Sequence, residues 1–320
     1  MFQFFQSFFT GGEQKSSYPE SLVKAAIERA IDGTDPWLRA VSGYKNKLRP
    51  SVLQAIDHVV ELIDSAPPPI TLDGAAYENS PLIRAFFLSR DDLNNFIAAS
   101  RELAAFSKEA GDAQNAFALL IMEKREKGIL GVELSGEIVM HDVPQVTVSF
   151  EAHRLVDPCL TEAGLRLKLK IRAFDHLLRL ALKRITIVKT ERGNLERYRA
   201  LLEAKLDLLN RAGWGFGEEG QESGNGLART EQLLGEIESE LKSIGSDDEM
   251  LAKYLDIVID VLSNPAGNIW GGQEKLILDR MGIKRSEAAI NAPELMLDEF
   301  SNAEDRSLVY SLVIIPMGMA

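Results

Sequence analysis

Cysteine is almost absent from the 320-residue chain, in which Cys159 is the only example. A single thiol excludes a disulfide framework and a zinc site built from cysteines. Basic residues are also in deficit, with 36 Lys and Arg against 48 Asp and Glu and a net charge of −12. A double-stranded DNA-binding protein is therefore not expected, because phosphate contacts need a basic face. No apolar run is as long as the roughly 20 residues that a membrane-spanning helix needs.

What the chain does contain is ordinary for a protein with a core, since 45% of its residues are hydrophobic and 26% are charged. Its patterns predict an α+β fold, mostly α-helical, with a small antiparallel or mixed sheet and a long antiparallel helical hairpin of the coiled-coil type. The predicted regions are a Phe-rich segment 1–12, a helical region 13–110, a sheet region 111–160 with 270–320, and a helical hairpin 161–265 with a Gly-rich linker 211–226.

The first residues carry five phenylalanines in nine positions. Phe2, Phe5 and Phe9 would share one helical face, which suits a peptide that docks on a membrane interface or a partner. Interfacial helices usually carry Lys or Arg, and residues 1–10 have neither, so packing against the protein itself is favoured. With no export signal and an unpaired thiol, the sequence predicts a cytoplasmic protein.

Three helices are expected before residue 110. The first opens at Pro19 and is stopped by Gly33, and the second begins at Pro50, a favourable first-turn residue. The third is capped by Ser89 and runs to about Lys108.

The sheet region contains short runs rich in β-branched residues. Residues 129–134, 137–141 and 146–152 each suit a strand, while 117–126 suits a strand or a helix. The intervening 135–136 and 142–144 are predicted turns. The run 308–315 is expected to join this sheet as another strand.

The strongest periodicity lies between residues 165 and 210. Ten of twelve positions in two heptad series are apolar, which predicts one long helix of about 69 Å in a coiled coil, despite Gly193. The two series are Phe174, Ala181, Val188, Leu195, Leu202, Leu209 and Ile171, Leu178, Ile185, Arg192, Arg199, Leu206. Residues 227–244 repeat the pattern, and Ser246 should cap a further helix. Pairing of the heptads between two chains is the alternative to a hairpin.

Charge agrees with the hairpin. Residues 166–199 hold 11 basic and 3 acidic side chains, for a net charge of +8, whereas residues 227–262 hold 3 basic and 9 acidic, for a net charge of −6. Charge would select the partner and orientation, since exposed ion pairs contribute only about 0.2–1 kcal/mol each. An anion-binding role for the basic helix is the competing interpretation.

Candidate chemistry is sparse. Glu151 and His153 would share one face of a strand, and Asp157 and His176 could approach them to bind a divalent metal or carry out acid–base catalysis. These four are weak candidates, because no diagnostic metal or catalytic spacing is present. No cofactor is predicted, because the glycines at 213, 215 and 217 lack the Gly-Lys-Ser/Thr ending of a phosphate-binding loop.

The segments Asp32-Gly33-Thr34-Asp35-Pro36, Ala85-Phe86-Phe87 and 122–158 resemble a group of uncharacterised bacterial proteins. That resemblance implies a bacterial source and no activity. The sequence therefore favours a non-enzymatic interaction or scaffold protein that binds a protein partner through its coiled-coil arm. The alternative is a metal-dependent enzyme or ligand-binding domain centred on Glu151 and His153.

Overall fold

The computed structural model describes residues 18–111, 113–135, 138–212, 222–287 and 291–317. The fold is α+β and mostly helical, as predicted. Two features of the sequence analysis lie outside the described residues: the phenylalanines of segment 1–12 and the glycine cluster at 213–217.

Along the described part of the chain, a group of helices with the short β1 is followed by two long strands, three helices and three further strands. The helices are α1 (Glu20–Asp32), a 3₁₀ helix (Pro36–Ala40), α2 (Tyr44–Asp64), α3 (Gly74–Asn79), α4 (Pro81–Phe86), α5 (Arg90–Ala99), α6 (Arg101–Glu109), α7 (Glu162–Ala212), α8 (Glu222–Ile244) and α9 (Asp247–Ser263). The strands are β1 (Ile70–Thr71), β2 (Asn115–Ser135), β3 (Ile138–Cys159), β4 (Ile269–Ile277), β5 (Glu294–Asn302) and β6 (Ser307–Pro316).

Several helix predictions are confirmed and others need correction. Helix α2 begins six residues before Pro50, which lies inside it. The predicted helix from Ser89 is two helices, because Ser100 has extended backbone and its side chain accepts the Leu103 N–H as the cap of α6. The predicted linker 211–226 is too long, since α7 continues to Ala212 and α8 begins at Glu222. The cap at Ser246 is confirmed.

The sheet has the order β3-β2-β6-β5-β4, with all these neighbours antiparallel. The short β1 pairs with β6 in parallel. The run 308–315 is a strand as predicted, and it pairs with β2 and β5. The predicted short strands 129–134, 137–141 and 146–152 belong to two long strands, β2 and β3.

The turn predicted at 142–144 is wrong, because these residues lie within β3. Pro144 pairs with Leu130 in the ladder. A proline without an N–H is tolerated there because β3 is the outermost strand of the sheet order.

Strand β3 contains three β-bulges. At three places the segment of β3 between two successive paired residues is one residue longer than the facing segment of β2. Each of these longer segments contains a residue with positive φ, namely Asp142 (57°), Ala152 (53°) or Asp157 (57°). A bulge shifts the alternation of side chains by one residue. Faces predicted from strict alternation therefore fail on β3.

The hydrogen-bonded ladder closes on itself through residues 282–285. Arg285 N–H donates to Ile277 C=O of β4, while Lys284 N–H donates to Val146 C=O of β3. Val148 N–H donates in turn to Gly282 C=O. Gly282 has φ of 74°, and a Cβ there would lie 2.8 Å from Val148 O, so glycine is required.

Both faces of the central strands are buried. Even-numbered residues of β2, such as Leu120 and Met122, join a core formed with α4–α6 and strands β4–β6. Odd-numbered Leu119 joins a second core with the end of α2 and the start of α7. This burial explains why the apolar run at the start of β2 does not alternate.

The chain divides into two compact units. In the described residues, one unit contains Tyr18, 56–174 and 265–317 with the sheet, and the other contains 19–55 and 175–264 and is helical. The division between the two units falls within α2 and α7.

Candidate functional site

The helical arm, defined here as residues 186–212 of α7 together with α8, belongs to the helical unit. On α7 the buried or half-buried positions include Val188, Leu195, Leu202 and Leu206, all in the predicted heptad series. On α8 the buried Thr230 and Ile237 lie seven residues apart, with the half-buried Leu241 four residues further. Each helix therefore buries one stripe, whereas the antiparallel pairing of α7 with α8 stays a prediction.

A second stripe of the arm is exposed. The side chains of Ile187, Tyr198 and Leu201 are 50%, 46% and 63% exposed. Ile187 and Tyr198 are eleven residues apart, or three helical turns, and Leu201 follows one turn later. These three residues, called the exposed stripe below, lie to one side of the buried heptad positions. Large apolar side chains arranged in this way suit contact with another helix.

The basic residues of α7 have acidic partners outside α8. Arg184 pairs with Asp260 of α9 at 2.8 Å, and Lys189 pairs with Asp35 at 2.6 Å. Arg192 pairs with Glu196 on α7 itself. The positive charge of this helix is thus partly neutralised by ion pairs, which weakens the anion-binding interpretation.

Glu151 and His153 do not share a face of β3, because the bulge at Ala152 lies between them. Glu151 is exposed and lies 3.0 Å from Arg125 Nε on the neighbouring strand. It also accepts a hydrogen bond from Ser149 Oγ. Its carboxylate therefore belongs to a surface ion pair, away from the surroundings of the imidazole.

The imidazole of His153 lies among aromatic rings. It stacks on Phe87 at 4.8 Å between centroids and meets Phe96 edge-on at 5.8 Å. Nε2 is buried without a hydrogen-bond partner among the described residues. Burial lowers the pKa of His153, while a backbone group of Phe86 and the charge of Asp92 act in the opposite direction. The ring is therefore neutral at neutral pH and contributes packing.

The remaining candidates also have separate partners. Asp157 Oδ2 lies 2.7 Å from Arg172 Nε, and the Asp157 N–H donates to Glu102. Cys159 is buried, and its burial raises the pKa of the thiol, which disfavours a nucleophilic thiolate. His176 is half-buried in the helical unit, whereas the other three candidates are in the sheet unit.

The environment of His153 predicts a specific pH dependence of stability. Its folded pKa lies below the ordinary value of about 6.5, so the unfolded chain binds the proton more tightly. The free energy of unfolding should not depend on the protonation of His153 above pH 6.5. It should decrease as the pH drops from 6.5 to the pKa of His153 in the folded chain. We expect His153→Phe to remove this part of the decline, measured by urea unfolding at a series of pH values. The exposed His141→Phe is the control, and an unchanged pH slope in His153→Phe would contradict the assignment.

A charged cluster on the sheet was not predicted. Lys124 of β2 contacts Glu274 of β4 and lies 3.7 Å from Glu299 of β5 and 3.8 Å from Glu126. Burial opposes the charge on Lys124, but the carboxylates outweigh it and raise the pKa of the ammonium. The cluster links three strands that are distant in sequence, so no local pattern could have revealed it.

The β2–β3 ribbon, defined here as residues 123–135 and 138–151, continues past the end of the β2–β6 ladder at Met122. It exposes large apolar side chains: Leu130 (69%), Val132 (56%), Val139 (51%) and Met140 (42%). Strands were predicted for the runs 129–134 and 137–141, but the exposure of these side chains was not. Their exposure marks the ribbon as a second candidate interaction surface.

Across the described ranges, no group of three or more His, Cys, Asp or Glu side chains is arranged to hold a metal ion. None of the helices in those ranges has the length and apolar character needed to cross a membrane. Comparisons with models of protein families, with curated proteins and with solved structures gave no match.

Proposed function

We propose that the chain is a non-enzymatic interaction or scaffold protein that binds a protein partner through the exposed stripe of its helical arm. The observation that carries the proposal is the combination of two stripes on one helix. One stripe is buried at the heptad positions and accounts for the stability of the helix. The other presents Ile187, Tyr198 and Leu201 to solvent, with 50%, 46% and 63% of each side chain exposed.

The partner that suits this surface is a helix with an apolar face. Tyr198 and Leu201 are three residues apart and therefore neighbours on the helix surface. Tyrosine is enriched at the centres of protein interfaces because it buries a large area and keeps a polar hydroxyl. Between the apolar residues of the stripe lie Glu191 and Asn194, which would supply polar contacts at its edge.

The dispersal of the four candidate residues supports a non-enzymatic role over the metal-dependent alternative. Each of Glu151, His153 and Asp157 has its own separate partners. The buried thiol of Cys159 supports a location in the reducing cytoplasm, which fractionation of the source cells would test.

The proposal is tested by co-purification from the native host, with mass spectrometry of the bound proteins. A stoichiometric partner should be retained by the wild-type chain and lost by the double variant Tyr198→Asp/Leu201→Asp. Ala200→Asp introduces one negative charge at an exposed position on another side of α7 and should retain the partner, whereas Leu201→Asp alone should not. Retention by the double variant, or the absence of any stoichiometric partner, would contradict the proposal.

A further inference from the structure

The β2 strand has a free edge along the β2–β3 ribbon. Its ladder with β6 ends at the pair of Met122 with Val309, whereas its ladder with β3 continues to Ser135. Over residues 123–135, β3 is therefore the only strand paired with β2 in the described part of the chain. A two-stranded ribbon of this kind is marginally stable alone in water, and a third strand would stabilise it.

The two edges of the ribbon are protected very differently. The β3 edge has Pro144, bulges at Asp142 and Ala152, and the covering residues 282–284. These are the features with which proteins prevent an edge strand from pairing with another chain. Residues 123–135 of β2 contain no proline, and every bulge of the ladder places its extra residue on β3. The charged side chains of residues 123–127 blunt the start of the β2 edge, and its remainder from Gly128 onward is regular and open.

The hydrogen bonds of β3 show which β2 groups face this open edge. Val146 and Val148 bond outward to residues 282–284, so Thr147 between them faces β2 and pairs with Lys127. Successive residues of an antiparallel strand direct their N–H and C=O groups to opposite sides. The N–H and C=O groups of Glu126, Gly128 and Leu130 therefore face the open edge. The next such carbonyl, of Val132, accepts a hydrogen bond from Gln145 Nε2.

We propose that two copies of the chain pair through this edge, with antiparallel β2 strands related by a two-fold axis at Ile129. In this register Gly128 of one copy hydrogen-bonds with Leu130 of the other, and Glu126 is opposite Val132. A Cβ at Gly128 would meet nothing within 4 Å, so there is space beside it for the Leu130 side chain of the second copy. The result is a continuous four-stranded sheet β3-β2-β2-β3.

Charge complementarity favours a second copy of the chain as the occupant. The register places Arg125 of each copy opposite position 133 of the other, which is glutamate in the sequence. The pair occurs twice because of the two-fold axis. Opposite charges directly across an antiparallel ladder are stabilising, and like charges are destabilising. Within its own chain Arg125 lies 3.0 Å from Glu151 and 3.7 Å from Glu123, and its 63% exposure leaves guanidinium N–H groups for a further carboxylate.

The first test removes a backbone donor. Gly128→Pro deletes an N–H that faces the open edge and leaves the β2–β3 ladder intact, so the variant should fold. Analytical ultracentrifugation over a dilution series should show a wild-type dimer and a monomeric Gly128→Pro. A wild-type chain that is monomeric throughout, or a dimer that Gly128→Pro leaves unchanged, overturns the proposal.

The second test identifies the register. Arg125→Glu and Glu133→Arg should each weaken the dimer by at least about tenfold, because each creates two like-charge pairs. An equimolar mixture of the two variants should restore dimerisation, because the heterodimer has opposite charges at both positions. If Arg125→Glu acted only through the lost intrachain contact with Glu151, mixing would not restore the dimer. Lys127→Glu is the control and should dimerise normally, because its opposite residue is Gly131. Failure of the mixture of Arg125→Glu with Glu133→Arg to restore the dimer, or a Lys127→Glu dimer as weak as that of Arg125→Glu, overturns the register at Ile129.

Discussion

Leu202→Asp should destabilise the helical unit by several kcal/mol. Leu202 is 5% exposed and occupies a heptad position of α7. An aspartate there loses the apolar contacts of the leucine and places a carboxylate where water is largely excluded. Chemical unfolding followed by circular dichroism at 222 nm should show a free-energy loss of about 3 kcal/mol or more.

The neighbouring residue provides a matched control. Leu201 is 63% exposed, so Leu201→Asp makes the same chemical change on the solvent side of the helix. It should change the free energy of unfolding by no more than about 0.5 kcal/mol. Equal losses in the two variants would show that the heptad series does not define the buried side of the arm.

Lys189→Met should have the second largest effect. The Lys189 ammonium lies 2.6 Å from Asp35 Oδ2, and the Asp35 side chain is 6% exposed. Methionine keeps most of the aliphatic stem but leaves this carboxylate with the Trp37 N–H as its remaining hydrogen-bond partner in the described structure. We expect a loss of about 2 kcal/mol in the free energy of unfolding, since hydrogen bonds to charged groups contribute about 1.5–3 kcal/mol.

A double-mutant cycle separates this ion pair from the packing of the lysine stem. Asp35→Asn retains an acceptor for the Trp37 N–H and removes the charge. The double variant should therefore lose less stability than the sum of the two single variants. Arg199→Met is the surface control, because Arg199 and its partner Glu203 are both well exposed, and it should cost about 0.5 kcal/mol or less. Strict additivity in the cycle would contradict the coupling of Lys189 with Asp35.

The helical parts of the fold were predictable because their signals are local. Apolar residues at helical spacing identified α1, α7 and α9, and the Ser246 capping box marks the start of α9 in the structure as it does in the sequence. The buried heptad positions of α7 were predictable for the same reason. Helix starts were less certain, since a proline compatible with a first turn can also lie further inside a helix, as Pro50 does.

The strands were harder to predict because their boundaries depend on pairing. Asp142-Val143-Pro144 has the composition of a turn, yet it continues β3 because a bulge and an outer edge accommodate it. The bulge at Ala152 also separates Glu151 from His153, which strict alternation would have placed on one face of β3. No local sequence signal distinguishes an alanine at a bulge from one in a regular strand.

The strand order has a consequence for the growing polypeptide during synthesis. Strand β6 lies between β2 and β5, yet it follows β3 by about 150 residues. At a translation rate of about 5–20 residues per second, the β2–β3 hairpin is made on the order of ten seconds before its central neighbour. During that interval the β2 residues that later pair with β6 also lack their partner strand. The nascent chain is thus exposed to premature strand pairing at this edge, which gives chaperones a defined segment to protect.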